Sequence, residues 1–339
     1  MAWQHTKKNK KKQQEKLFKR VMKKIFGKTL PLVMILLLLL GLLGSLAYAQ
    51  FEPFRDFVDG LGIFTQKAPT VSYIDPEGNE MAVHFLDVGQ GDATLFQTKA
   101  GAVLVDCSES EYADYILEYL DSLGIEELEY FIITHPDSDH MGSAPAILKG
   151  IKVNNFVMNG QVKGTKFFEN TLDVIEEKGI NAITAGPGDV FTVGALQLSI
   201  LGPQPYLVDS DEWNEASLII HATYGHRAIL LTGDAESKGE ADLVENYGSI
   251  IKCDIFSAGH HGSRTSNSMD LLRAADPDIV IISCGNKYGH PHAEAVENFN
   301  AIGAEQLLTY KEGTIVFVTD GESLERKLRF RTMFALALH

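Results

Sequence analysis

Short apolar runs, each closed by Gly, Asp, His or Ser, recur from about residue 81 onward. Val83, Phe85 and Asp87 alternate with His84 and Leu86, and this run ends in Gly89-Gln90-Gly91-Asp92. Residues 93–97 and 102–106 flank Lys99-Ala100-Gly101, which predicts a hairpin. Ala113, Ile116, Leu117 and Leu120 follow at helical spacing and stop before Gly124. A buried strand is expected at 130–133 and a helix at 144–149. Next come a strand at 152–158, a helix face of Phe168, Leu172 and Ile175, and strands at Ile183 and 195–201. A second hairpin, 218–223 with 228–231, ends at Thr232-Gly233-Asp234. Strands at 254–257 and 279–283 each run into a histidine-bearing loop. A helix containing Val296 and Phe299 and a strand at 314–319 close the pattern. No solenoid period interrupts this alternation, which reads as an α/β architecture.

The first eighty residues look different. Residues 1–28 are lysine-rich with little apolar pattern, and predict a basic cytoplasmic tail. Residues 30–49 carry no charge and include five consecutive leucines, Leu36-Leu37-Leu38-Leu39-Leu40. That length crosses a hydrocarbon core of about 30 Å. A transmembrane helix over 29–49 is therefore expected, with the basic flank inside and everything after Ala49 outside. Ala47-Tyr48-Ala49 also fits a cleavage site, so a secreted form cut after Ala49 is the alternative. Residues 50–79, with Pro53, Pro69, Pro76 and scattered phenylalanines, read as a juxtamembrane linker.

Charge sharpens the division. The formal −15 of the 339-residue chain is the balance of +10 over residues 1–30 and −25 over the remainder. So acidic a body does not look like a general polyanion binder. Cys107, Cys253 and Cys284 are unclustered and form neither a disulfide framework nor a zinc-thiolate motif.

The chemistry concentrates in His135-Pro136-Asp137-Ser138-Asp139-His140, at the carboxyl end of the strand expected at 130–133. Two imidazoles and two carboxylates crowded into six residues converge on one point only around something positive, and a pair of divalent metals suits them. A calcium loop fails, because its fifth and twelfth positions would be Met141 and Leu148. A solvated polar turn is the bland alternative. Three more strand-end loops carry similar residues: Asp234, Gly259-His260-His261-Gly262-Ser263, and Tyr288-Gly289-His290-Pro291-His292. The last is equally readable as a helix start.

Five stretches carry a resemblance: Phe85-Leu86-Asp87-Val88-Gly89-Gln90-Gly91-Asp92-Ala93, Thr134-His135-Pro136-Asp137-Ser138-Asp139-His140, Leu231-Thr232-Gly233-Asp234-Ala235-Glu236, Gly259-His260-His261-Gly262-Ser263-Arg264-Thr265-Ser266, and Tyr288-Gly289-His290-Pro291-His292. Over residues 80–331 the chain resembles the metallo-β-lactamase superfamily, and more narrowly the hydrolase domain of ComEC-type DNA-uptake proteins. The resemblance implies a four-layer αβ/βα sandwich with a dinuclear site at one sheet edge, followed by a short tail at 332–339. It implies His135 and Asp137 at the first metal and Asp139 and His140 at the second. Asp234 would bridge both, and His260 would complete the second site, with His261 the near alternative.

Two departures from the wider superfamily bear on the metals. Asp137 stands where a second histidine is usual, and Asn214 where the next one falls. Harder ligands at the first site shift its preference toward Mn²⁺ and make it the more labile of the two, with Zn²⁺ the alternative. Asp139, Asp234 and His292 are the expected catalytic residues. Asp87, Gln90, Asp92, Asn214, Ser217, His261, Ser263, Arg264 and His290 are expected to surround substrate and metals.

The reading that results is a membrane-anchored, outward-facing, two-metal phosphodiesterase acting on DNA. Phosphoesterase action on another exported substrate, such as teichoic acid or phosphocholine, is the alternative, and a metal-stabilised binding module without turnover is the third class. No protein partner is inferable. With a single expected span, the chain is not expected to form a channel by itself.

Overall fold

The computed structural model describes residues 78–210, 212–285 and 288–327. The expected basic tail, transmembrane helix, nearly all of the linker and the C-terminal tail lie outside them. Among the described residues no helix is long and apolar enough to cross a membrane.

Fifteen strands in the described residues form two sheets. The first contains β1 (Met81–Phe85), β2 (Thr94–Thr98), β3 (Gly101–Val105), β4 (Glu127–Ile132), β5 (Lys152–Met158), β6 (Asn181–Thr184), β14 (Ile315–Thr319) and β15 (Leu324–Lys327), in the order β15-β14-β1-β2-β3-β4-β5-β6. The second contains β7 (Val190–Val193), β8 (Leu196–Gly202), β9 (Ile219–Tyr224), β10 (Arg227–Leu231), β11 (Ile255–Ser257), β12 (Ile279–Ile282) and β13 (Glu305–Leu308), in the order β13-β12-β11-β10-β9-β8-β7. Each sheet changes character midway. Strands β1 to β3 pair antiparallel and β3 to β6 parallel. Strands β7 to β10 pair antiparallel and β10 to β13 parallel.

Strand alternation assigns the layers. Val83, Phe85, Phe96, Val103, Ile132 and Val157 of the first sheet meet Leu198, Ile200, Ile220, Ile229 and Ile281 of the second in the central core. On the outer face of the first sheet, Leu95, Leu104, Phe131 and Phe156 pack under α1 (Ala113–Ser122), α3 (Ala144–Gly150) and α4 (Lys166–Lys178). The short α2 is Ser138–Met141. On the outer face of the second sheet, Leu230, Phe256, Val280 and Ile282 pack under α6 (Ser237–Tyr247), α7 (Met269–Ala275) and α8 (Ala293–Ile302); α5 is Pro205–Val208 and α9 Thr309–Glu312. Burial of apolar area on both faces of both sheets is what holds the four layers together.

Both hairpins and helices α1, α3, α4 and α8 fall where the periodicity puts them, whereas α6 and α7 are not among the expected helices. One helix face is turned: α4 buries Phe168, Thr171, Val174 and Ile175, and leaves Leu172 43% exposed. Strands β7, β13 and β15 are short, largely amphipathic edge strands, which the apolar runs do not announce.

Candidate metal centre

Parallel neighbours place their carboxyl ends at one edge, and the chemistry collects there. Asp106 follows β3; His135, Asp137, Asp139 and His140 follow β4; Asp234 follows β10; His260 and His261 follow β11. The last two sit in a tight turn at Gly259–Gly262, with φ of 50° and 56°. Consecutive left-handed residues other than glycine are costly and persist only when the surroundings impose them. Asn267 does so: its Nδ2 donates to the Gly259 and Ser263 carbonyls, and its Oδ1 accepts the Gly259 N–H. The buried Glu240 of α6 in turn accepts the Asn267 and Ser268 N–H groups.

Asp234 is the meeting point. Its Oδ1 lies 3.1 Å from His140 Nε2 and 3.7 Å from His261 Nε2, and its Oδ2 lies 3.9 Å from His135 Nε2 and 3.6 Å from His260 Nε2. Asp139 Oδ2 is 3.4 Å from His261 Nε2. One ligand atom from each of Asp139, His140, Asp234 and His261 lies within 4.8 Å of the other three. The group gathered around Asp139 and His140 thus takes in His261, where the resemblance points to His260. The left-handed turn explains the exchange, since it splays the two rings to 6.0 Å and 74° apart and sends His260 to the side of His135. That side accordingly has two imidazoles instead of the single one expected.

Hydrogen bonds fix which nitrogen of each ring faces this space. His140 Nδ1 lies 2.8 Å from Asp106 Oδ2, and a carboxylate only accepts. His261 Nδ1 lies 2.9 Å from the Ser283 carbonyl, which also only accepts. Thr134 gives its hydroxyl hydrogen to Asp106, so toward His135 Nδ1, 3.2 Å away, it acts as acceptor. His260 Nδ1 faces Glu236 Oε1 at 3.2 Å. Each of the four rings therefore carries a hydrogen on Nδ1 and turns Nε2 inward, the arrangement metal-binding imidazoles need. His135 Nε2, His140 Nε2, His261 Nε2 and Asp234 Oδ1 are buried without a hydrogen-bond partner. Orphaned polar atoms aimed at one space are the mark of a cation site, and the donor set fits divalent metal.

The electrostatics agree. Burial works against charge on His140, yet Asp234 and Asp106 overcome it and hold its pKa well above the ordinary value. Burial likewise opposes charge on His261, but Asp234 and Asp139 take it up to about 9. Asp234, despite a burial that favours its neutral form, is driven well below the carboxylate range by His140 and His261. His135, more distant from a carboxylate, stays neutral, with burial and His140 lowering its pKa to about 4. In the absence of metal, protons on His140 and His261 balance the carboxylates, and cations would displace them.

A model of the metallo-beta-lactamase superfamily matches residues 86–286. The chain belongs to that superfamily, a family of metal-dependent hydrolases. It is 29% identical over 259 residues to ComE operon protein 3 of Bacillus subtilis, covering 70% of this chain and 33% of that protein. It is 31% identical over 243 residues to competence protein ComA of Neisseria gonorrhoeae, covering 70% and 32%. It is 36% identical over 225 residues to recombination protein 2 of Haemophilus influenzae, covering 64% and 26%. The chain thus spans about a third or less of the length of these relatives. Among solved structures, the metallo-beta-lactamase fold protein YhfI from Bacillus subtilis aligns with a TM-score of 0.49 at 12% identity, covering 71% of this chain and 100% of that one.

Other positions expected from the superfamily resemblance are placed as follows. Asp137 is ion-paired with Lys163, which also lies 5.1 Å over the Trp213 ring, and it stands outside the Asp139 group. Asn214 Nδ2 donates to Glu236 Oε1. Ser217 Oγ accepts the Asp234 N–H and lies 3.2 Å from His135 Nδ1, so it positions both. Asp92 donates its N–H to the Asp139 carbonyl, and burial raises the pKa of its carboxyl. Asp87 donates its N–H to Thr314 Oγ1, just ahead of the neighbouring strand β14. Ser263 Oγ contacts Thr265, and the Arg264 side chain is exposed. His292 caps α8 and accepts the Arg264 N–H on Nδ1, whereas His290 and Gln90 line the cavity of about 450 Å³ over the centre, along with Glu109, Asn214 and Tyr288. Of the two histidines, His290 is the one at the cavity wall.

Sequence reasoning missed Asp106, Glu236, Lys163, Glu240 and Asn267. Only Asp106 had a readable signal, because it closes an apolar run as Asp234 does.

Proposed function

We propose that this chain is a two-metal phosphodiesterase and, given its similarity to competence proteins, a nuclease acting on DNA outside the cell membrane. The observation that carries the reading is the two-sided environment of Asp234, with two imidazole nitrogens facing each of its oxygens. When bound there, divalent ions supply Lewis acidity toward phosphoryl oxygens and make water nucleophilic at neutral pH. Asp139 reaches the cavity as an ionised carboxylate and orients a water by accepting its hydrogen. Asp106, Thr134, Ser283 and Glu236 hold the four imidazoles in their tautomers, so no reorganisation is needed at the moment of reaction.

The membrane attachment belongs to the same proposal and is supported by the lysine-rich lead and the uncharged run at 30–49. One observation favours a different exported phosphoester: Glu109 and Asp137 stand at the cavity wall, and Lys163 is committed to Asp137. Long polyanions meet little positive charge there.

The full-length chain, supplied with Mn²⁺ or Zn²⁺, is assayed against single- and double-stranded DNA, bis-p-nitrophenyl phosphate and phosphocholine esters. DNA cleavage lost on Asp139→Ala supports the nuclease. Turnover of small diesters alone moves the substrate to another exported phosphoester. No turnover with either metal leaves a binding module.

A further inference from the structure

Three imidazoles line the cavity, those of His260, His261 and His290, and the last is held in the tautomer opposite to the other two. Gln90 is buried, and its amide is oriented by the backbone: Gly285 N–H, which only donates, lies 3.3 Å from Gln90 Oε1. The oxygen being so committed, the amide nitrogen is the group 3.2 Å from His290 Nδ1. An amide N–H donates, so His290 Nδ1 accepts and its hydrogen resides on Nε2. The close approach that makes this possible is built in, since a Cβ on Gly285 would meet Gln90 N at 3.1 Å and the Gly89 carbonyl carbon at 3.2 Å. The His290 ring stands 5.7 Å from that of His260 and 6.1 Å from that of His261, on the cavity wall. No described protein group occupies its Nε2.

A ring with hydrogen on Nε2 offers that nitrogen as a donor and not as a metal ligand. We propose that His290 is a neutral hydrogen-bond donor to a phosphoryl oxygen of the substrate, and that Gln90 is the positioning residue that fixes its tautomer. The proposal rests on the phosphodiesterase reading for its substrate class. It separates two kinds of histidine around one centre: His135, His140, His260 and His261, whose Nδ1 groups face acceptors, and His290, whose Nδ1 faces a donor. A fixed neutral donor aimed where charge develops stabilises a transition state without a proton transfer.

The test uses the full-length Zn²⁺-loaded chain with ¹⁵N-labelled histidine, and inorganic phosphate as the probe. Wild type is expected to show His290 protonated at Nε2 in long-range ¹H–¹⁵N correlations, with that signal shifting as phosphate is added. Gln90→Glu, which presents an acceptor, should move the hydrogen to Nδ1. The uncharged Gln90→Met should release the ring to a mixture and weaken phosphate binding about tenfold, the scale of one hydrogen bond to a charged group. His290→Phe should lose the same factor, and His290→Gln, which keeps an N–H donor, should recover most of it. A wild-type hydrogen on Nδ1, or phosphate binding unchanged in both Gln90→Met and His290→Phe, overturns the proposal. Phosphate binding that depends on His290 in a protein that cleaves no diester defeats the phosphodiesterase reading alone. Full diester turnover by His290→Phe defeats the donor alone.

Discussion

The two sheets follow one plan, and their first parallel pairs invite comparison. Strand β3 hands over to Asp106 and β10 to Asp234; the neighbouring β4 and β11 hand over to the histidine pairs. Yet the two aspartates do different work. Asp106 has both oxygens filled, by the Thr134 N–H and hydroxyl and by His140 Nδ1. Asp234 keeps Oδ1 without a hydrogen bond, among imidazole Nε2 atoms that lack a partner too. Strand-end position brings a carboxylate to the site; the saturation of its lone pairs decides whether it supports a ligand or is one.

Asp234→Asn breaks this comparison most severely. It removes the carboxylate that both pairs of imidazoles face, and diester turnover should fall at least about a thousandfold, with metal content by elemental analysis dropping toward none. Asp106→Asn should leave both metal positions but loosen His140, lowering metal affinity about 10- to 100-fold in competitive chelator titrations. Equal losses from the two variants would erase the distinction.

A pH comparison sharpens the contrast between halves. His84 in β1 is buried against the Tyr119 hydroxyl, and burial lowers its pKa from 6.5 to about 4. Its contribution to stability is complete above 6.5 and lost as pH falls through 4. Glu240 in α6 is raised from 4.5 to about 7, chiefly by burial. Its contribution is complete below 4.5 and lost as pH rises through 7. Urea unfolding from pH 4.5 to 7 should therefore show opposite changes in slope for His84→Gln and Glu240→Gln, each on the order of 2 kcal/mol across the window. Profiles parallel to wild type in both variants would remove these two groups as the cause.

The smallest effect concerns Asp137. Lys163→Met frees its carboxylate on the His135 side, and divalent-ion affinity there should rise a few-fold, the scale of one partly exposed ion pair. Unchanged affinity by isothermal titration would place Asp137 outside the metal-binding set.

Much of this was legible in the chain. Strong apolar runs with turn residues between them located both hairpins and the central parallel strands, because burial on two faces demands such runs. The convergence of strand-end loops located the His135 to His140 stretch, Asp234 and the histidine pair. What a linear pattern does not carry is side-chain direction after an irregular turn. His260 and His261 are adjacent, and only their left-handed backbone reveals that His261 joins Asp139 while His260 joins His135. Leu172 shows the same limit on a helix, where Thr171 takes the buried place. Edge strands β7, β13 and β15 lack full burial and hence lack an apolar run.

The clamp under the histidine turn has a consequence for insertions and deletions. Asp234 faces the imidazoles, Glu236 faces His260 Nδ1, and Glu240 secures Asn267 and Ser268, all from one seven-residue stretch running into α6. A single added or deleted residue there would rotate the helix by about 100° and withdraw Glu240 from the turn even if Asp234 stayed in place. At the open turn of Gly179 a side chain would meet nothing within 4 Å of its Cβ, so an added residue has room there. Length variation among sequences sharing this site should therefore collect at turns like Gly179 and be absent between Asp234 and Glu240.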